Sequence, residues 1–265
     1  MQIPIAIIDA FTERAFSGNP AAVCLLYDDL SEQQMQAIAM EMNLSETAFV
    51  KGTGEQGLFS LRWFTPTVEI DLCGHATLAS AFWMIQTGWA DGLEVIRFQT
   101  RSGELRVRNT EGRLTMDFPL IPTFVDTHPR FSSELFGNKI VHAAQLKRTW
   151  IFELESETVV REFIPDFGEI AENSELGFVI TAKGDGEYDM VSRFFGPNVG
   201  INEDPVTGFV HCALVDYWNQ KTGKTQFKAF QASTRGGELL LEKHDDRVLI
   251  SGSAVKVLVG TLEFS

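Results

Sequence analysis

Basic residues are scarce in this chain. Against 36 Asp and Glu it carries 22 Lys and Arg, a formal charge of −14 over 265 residues. A field of that sign repels phosphate backbones and anionic bilayers, which argues against nucleic acid or a membrane surface as partner. Cysteine is scarcer still. Cys24, Cys73 and Cys212 make neither an even disulfide framework nor a metal-type spacing. Three reduced thiols suit a cytoplasmic protein, and that is the expected location. No stretch approaches the roughly 18 apolar residues of a membrane span. The opening MQIPIAIIDA has no basic segment and meets Asp9 too early for a signal peptide. A Gly-rich dinucleotide loop is missing too, and Ser17-Gly-Asn-Pro20 lacks the lysine of a phosphate loop. Neither a cofactor nor a metal is expected.

What is present is a core and a repeat. The apolar fraction of 44% is that of a globular protein, and the 21 Phe residues read as packing. Arg62-Trp-Phe-Thr-Pro-Thr-Val-Glu-Ile-Asp71 returns as Arg193-Phe-Phe-Gly-Pro-Asn-Val-Gly-Ile-Asn202, with three extra residues following in the second copy. Gly74 then matches Gly208, and Thr100-Arg-Ser-Gly-Glu-Leu105 matches Thr234-Arg-Gly-Gly-Glu-Leu239. Upstream, Ser45-Glu46 falls on Ser174-Glu175. Matches in order with a slowly drifting offset point to duplication, although shared hairpin chemistry gives single matches of this kind. The expected domains are residues 1–120 and 121–265, meeting near Phe118-Pro-Leu-Ile-Pro122, with a few terminal residues able to cross.

Local signals place the motifs. Ile3 to Asp9 and Ala22 to Tyr27 read as buried strands. Ser31 with Gln34 is a capping-box pattern, and Met35, Ile38, Ala39 and Met42 give the following helix one apolar face. Asn43 ends it, which leaves Glu46 on the connection into a strand from Thr47 to Lys51. Gly-containing hairpins at Ser102-Gly103 and Gly236-Gly237 follow each central helix. The expected fold class is α+β: two similar pseudo-symmetric domains, each a curved, mostly antiparallel sheet around a buried helix.

Those helices, read as Ala76 to Gln86 and Phe209 to Trp218, are apolar nearly all round and each follows a glycine. Their first N–H groups lack intrahelical acceptors, and the helix dipole adds positive potential there. Two such starts brought to one cleft would hold a small anionic metabolite in a protein of strongly negative charge.

Three chemistries compete for the proton. A two-thiol racemase would use Cys73, but its second position is Thr207, a poor proton acceptor, while Cys212 lies five residues on. Glu46, buried beside Leu44 and Phe49, would serve as general acid and base, and its repeat counterpart Glu175 leaves a two-carboxylate variant open. Cys73 as nucleophile with His75 as base ranks lowest, because residues two apart at a helix start point in different directions and no Cys–His contact is expected. A metabolite-binding protein without turnover is the non-enzymatic alternative.

Asp9-Ala-Phe-Thr12, Phe16-Ser-Gly-Asn-Pro20, Ser45-Glu-Thr47, Arg62-Trp-Phe-Thr-Pro66, Cys73-Gly-His-Ala-Thr77 and Glu203-Asp-Pro-Val-Thr-Gly208 together resemble the PhzF family, named for the phenazine-biosynthesis isomerase, within the diaminopimelate epimerase-like superfamily. The resemblance implies a cofactor-free isomerase acting on a small metabolite, and a homodimer. It implies Glu46 as the acid–base residue, His75 and Asp204 as catalytic support, and Gly74 offering its backbone to substrate. Asn19, Cys73, Thr207, Gly208 and Phe209 fall on or beside the same motifs as substrate-binding candidates; Glu175 receives no role. Phe209 stands where the family commonly has Ser, which removes a hydroxyl and narrows or dries that side of the pocket.

Overall fold

A computed structural model describes residues 1–110, 112–125, 140–146 and 148–264. The chain divides into two compact units, Met1–Asp117 with Ile250–Ser265, and Phe118–Leu249. In chain order the first half contains β1 (Gln2–Ala10), β2 (Asn19–Leu26), α1 (Glu32–Met42), β3 (Glu46–Gly52), β4 (Leu58–Phe64), β5 (Glu69–Ile70), α2 (Gly74–Gln86), β6 (Val95–Thr100), β7 (Gly103–Thr110) and β8 (Arg113–Pro119). The second contains β9 (Phe124–Val125), β10 (Ile140–Leu146), β11 (Thr149–Leu154), α3 (Glu157–Glu162), α4 (Phe167–Asn173), β12 (Phe178–Lys183), β13 (Met190–Gly196), a short 3-10 turn (Pro197–Val199), β14 (Ile201–Asp204), α5 (Gly208–Thr222), β15 (Gln226–Gln231) and β16 (Gly237–His244). β17 (Arg247–Gly252) and β18 (Ala254–Glu263) close the chain, and β18 pairs with β1 inside the first unit.

Both units follow one plan. Antiparallel pairs dominate, and parallel pairs occur where a helix makes the crossover. In the first unit these are β2 with β3 across α1 and β4 with β6 across α2. In the second they are β11 with β12 across α3 and α4, and β13 with β15 across α5. One face of the first sheet packs Ala22, Cys24, Phe49 and Phe64 against Met35, Ile38 and Ala39 of α1. The same face of the second packs Phe152, Phe178, Ile180 and Phe195 against Val160 and Ile170 of α3 and α4. Several of the phenylalanines therefore serve as interlocked edge-on core rings, as Phe178 does against Phe152 and Phe195.

Helix α1 begins as its sequence dictates. Ser31 accepts from the Gln34 N–H, the Gln34 side chain accepts from Ser31, and Asn43 closes the helix in a left-handed conformation. Helix α2 starts two residues earlier than its apolar run implied, at Gly74, and α5 runs from Gly208 to Thr222. Both are buried over most of their length. In α2 the hydroxyls of Thr77 and Ser80 donate to the carbonyls of Cys73 and Ala76 one turn back, so their burial leaves no hydroxyl unbonded. No helix among the described residues is long and apolar enough to cross a membrane.

Candidate active site

The motif residues fall into two groups, one in each unit. In the first unit Glu46 is the opening residue of β3, opposite Ala21 of β2, and not part of a connection. Strand alternation sends its side chain to the face opposite α1, shared with Ala48 and Val50. Helix α2 packs against β1, β2 and β3 and brings His75 to that carboxylate. His75 Nε2 stands 3.0 Å from Glu46 Oε2, with the two residues 6% and 7% exposed. Neither of these atoms completes an aligned hydrogen bond, so the contact is an ion pair when His75 carries its second proton.

Asn19, the first residue of β2, presents its amide nitrogen to His75 Nδ1 at 3.2 Å. The turn that delivers Asn19 needs Gly18: its φ is +66°, and a Cβ there would sit 2.1 Å from the Ala10 carbonyl oxygen. Buried Asp9 anchors the same turn by accepting from the Phe16 N–H at 2.7 Å. Nδ1 accepts from that amide only in the neutral ring; the charged ring, which the Glu46 carboxylate favours, takes the Asn19 amide turned over, with its oxygen accepting from Nδ1–H.

Cys73 corrects the expectation that it would miss His75. Its Sγ lies 3.5 Å from His75 Nδ1. As the N-cap of α2, with φ −143° and ψ 118°, Cys73 is extended, so helical spacing does not govern where its side chain points. Burial and the Glu46 carboxylate raise the Cys73 pKa, with His75 opposing. Burial alone would strip the proton from His75, but negative charge on Cys73 and Glu46 outweighs it and holds the imidazole well above its ordinary pKa. With the thiol itself pushed up, we assign that effect chiefly to Glu46. Cys24 and Cys212 are pushed by burial to about 12 and are inert.

Glu46, Cys73 and His75 offer ligand atoms all within 4.8 Å of one another. Three donors match a catalytic zinc site in number, and ligation would require the Cys73 thiol to give up its proton.

In the second unit Asp204, Thr207, Gly208 and Phe209 cluster at the start of α5. Thr207 is the N-cap and donates its hydroxyl to Asp204 Oδ2 at 2.5 Å in place of capping the helix. Cys73 likewise makes no side-chain cap on α2. Phe209 remains 39% exposed. One turn in, His211 Nδ1 is 2.8 Å from the Thr207 carbonyl and Nε2 is 3.4 Å from Ser192 Oγ; burial pushes its pKa down to about 4, against the pull of that carbonyl.

Register also corrects the partner assigned to Glu46. Thr47 pairs with Ala22 and Phe64 in the first sheet, as Phe178 pairs with Trp150 and Phe195 in the second. The position equivalent to Glu46 is therefore Gly177, one residue before Phe178. Its φ is +92°, and a Cβ there would lie 1.9 Å from the Phe195 carbonyl oxygen. Glu175 is on the surface, paired with Arg148. Counting from Gly74 and Gly208, Phe209 occupies the place of His75. Neither Glu46 nor His75 thus has a counterpart of its own kind at the equivalent positions, Gly177 and Phe209.

Sequence reasoning missed Gln231, the fully buried last residue of β15, whose amide grips both Asp204 and Thr207. It lies 24 residues beyond Thr207, and no local pattern marks it.

A family model described as phenazine biosynthesis-like protein matches residues 8–260. An uncharacterized isomerase of Pseudomonas aeruginosa is 45% identical over 263 residues, which is 99% of each chain. The crystal structure of a PhzF-family phenazine biosynthesis protein from Enterococcus faecalis is 42% identical, with a TM-score of 0.93 over 100% of both chains. A hydroxyproline epimerase from Agrobacterium vitis, 8% identical with a TM-score of 0.68 over 98% of this chain and 92% of its own, shares the fold.

Proposed function

The chain belongs to the phenazine biosynthesis-like family of isomerases, and from that premise we propose that it moves a proton between carbons of a small carboxylated metabolite, with Glu46 as the acid–base residue. The observation that carries this reading is the buried Glu46–His75 pair, whose facing atoms lie 3.0 Å apart without an aligned hydrogen bond. The carboxylate takes a proton from a carbon made acidic by adjacent unsaturation. The C–H electron pair enters the unsaturated system, the double bond migrates, and Glu46 returns the proton at another carbon. Nothing is oxidised or reduced overall, so the step needs no redox partner. His75, charged beside Glu46, stabilises the anion that forms. Asp204 takes the supporting role that the family motif assigns it. Asn19, Cys73 and Gly74 line the first helix start, and Thr207, Gly208 and Phe209 the second.

A single base favours proton return to the face it left. Inversion of one carbon calls for a second base, and Gly177 and Phe209 stand at the positions equivalent to Glu46 and His75. A thiol racemase draws little support, because the Cys73 thiol is raised by burial and Thr207 is its counterpart. Phe209 favours a substrate with an apolar portion over one as polar throughout as a serine at that position would accept.

Deuterium uptake tests this. A panel of small unsaturated and 2-amino carboxylic acids is incubated with enzyme in deuterated water and read by mass spectrometry and NMR. Glu46→Gln should fold normally and lose label incorporation by about 100-fold or more, whereas Cys73→Ser should keep most of it. Label incorporation by Glu46→Gln at the wild-type rate would remove Glu46 from its role. A metabolite that raises the thermal midpoint yet never exchanges a proton would leave a binding protein.

A further inference from the structure

Gln231 holds the start of α5 with both ends of its amide. Nε2 donates to the Asp204 carbonyl at 2.7 Å and to Thr207 Oγ1 at 3.1 Å. Oε1 accepts from the Thr207 N–H at 2.8 Å. This fixes the amide orientation: turned over, its oxygen would face the Asp204 carbonyl and its nitrogen the Thr207 N–H.

The consequence falls on Thr207, whose hydroxyl has one proton to give. Because Gln231 donates to that oxygen, the proton goes to Asp204 Oδ2, 2.5 Å away. A threonine at an N-cap ordinarily turns its oxygen to an amide of the first turn; here it makes no such bond. Helix chemistry thus pulls Thr207 one way and Gln231 holds it the other.

We propose that Gln231 is a positioning residue for the reaction. It keeps Thr207 as a donor to Asp204, and so presents that carboxylate in one orientation and as an acceptor. The buried pairing of Ser192 with Gln231 between β13 and β15 makes the clasp part of the sheet and sets its position. The role in turnover rests on the reading of Asp204 given above; the clasp itself does not.

Two measurements test it on the full chain. The first is the Thr207 hydroxyl proton, expected as a slowly exchanging downfield resonance in proton NMR because of its short bond to a carboxylate. It should vanish in Thr207→Val, persist in Thr207→Ser, and be lost or move upfield in Gln231→Met. The second is deuterium uptake by whichever acid of the panel the wild type labels. Gln231→Met, checked for folding by circular dichroism and urea unfolding, should lose roughly 10- to 100-fold in exchange rate. If Gln231→Met does not fold, Thr207→Val carries the exchange measurement with the same expected loss. An unchanged hydroxyl resonance in folded Gln231→Met, or exchange at the wild-type rate in the folded variant, overturns the proposal. Should the wild type label no acid at all, the proposed isomerase reading fails and the resonance alone decides the clasp.

Discussion

Acidification from pH 6.5 to pH 4 is expected to remove about 3 kcal/mol of stability through His211 alone. The imidazole is fully buried, gives Nδ1–H to the Thr207 carbonyl at 2.8 Å and faces Ser192 with Nε2. Charging it would bury a cation with no anion facing it among those contacts, so the folded chain takes its proton only near pH 4, against an ordinary value of 6.5. Between those values the unfolded chain binds a proton that the folded chain refuses, and stability must fall as the pH falls. Each pH unit of that window is worth about 1.4 kcal/mol, which gives the total of roughly 3. His75 has the opposite sign: its raised pKa contributes stability that is present at low pH and lost as pH rises through the folded value. Glu157 is held low despite burial by the Asp185 N–H and Arg161, and it also loses stability in acid. A variant must therefore isolate His211. His211→Asn keeps a donor for the Thr207 carbonyl and cannot titrate. Urea midpoints measured from pH 7.5 to pH 4 should fall less steeply in the variant, the two curves converging as the pH drops. Parallel curves would refute a neutral, buried His211.

Two further changes are decided by packing. Gly177→Ala should cost about 3 kcal/mol or more, because a Cβ there meets the Phe195 carbonyl at a backbone angle suited to glycine; urea unfolding or soluble yield reads this. Arg193→Lys should cost about 3 kcal/mol or more in the same assay, since Arg193 binds both carboxylate oxygens of Glu203, at 2.7 and 3.1 Å, and the Phe163 carbonyl at 2.6 Å, with little exposure to water. A lysine reproduces the charge but not the two-pronged grip.

Much of the fold was legible because it depends on neighbours in sequence. Ser31 and Gln34 cap α1 three residues apart, and Met35, Ile38 and Ala39 fix its buried face. The repeated Arg of Arg62-Trp-Phe and Arg193-Phe-Phe marks one structural role twice: Arg62 grips Glu69 as Arg193 grips Glu203, with the three-residue insertion absorbed between them. The candidate site was legible where a motif carried its own chemistry, as at Cys73-Gly-His75. It was misread where direction depended on backbone angle. Cys73 reaches His75 because an N-cap is extended, which residue spacing does not reveal.

Composition and order of residues alone determined the α+β class, the duplication and the chemical types at each helix start, because charge, periodicity and capping act over a few residues. Tertiary structure decided which of those groups meet. The register of β3 against β2 and β4 makes Gly177, not Glu175, the equivalent of Glu46, and the pairing of β13 with β15 carries Gln231 to Asp204. Each depends on contacts between strands far apart in the chain. There a slip of two residues exchanges a surface carboxylate for a glycine with no room for a side chain.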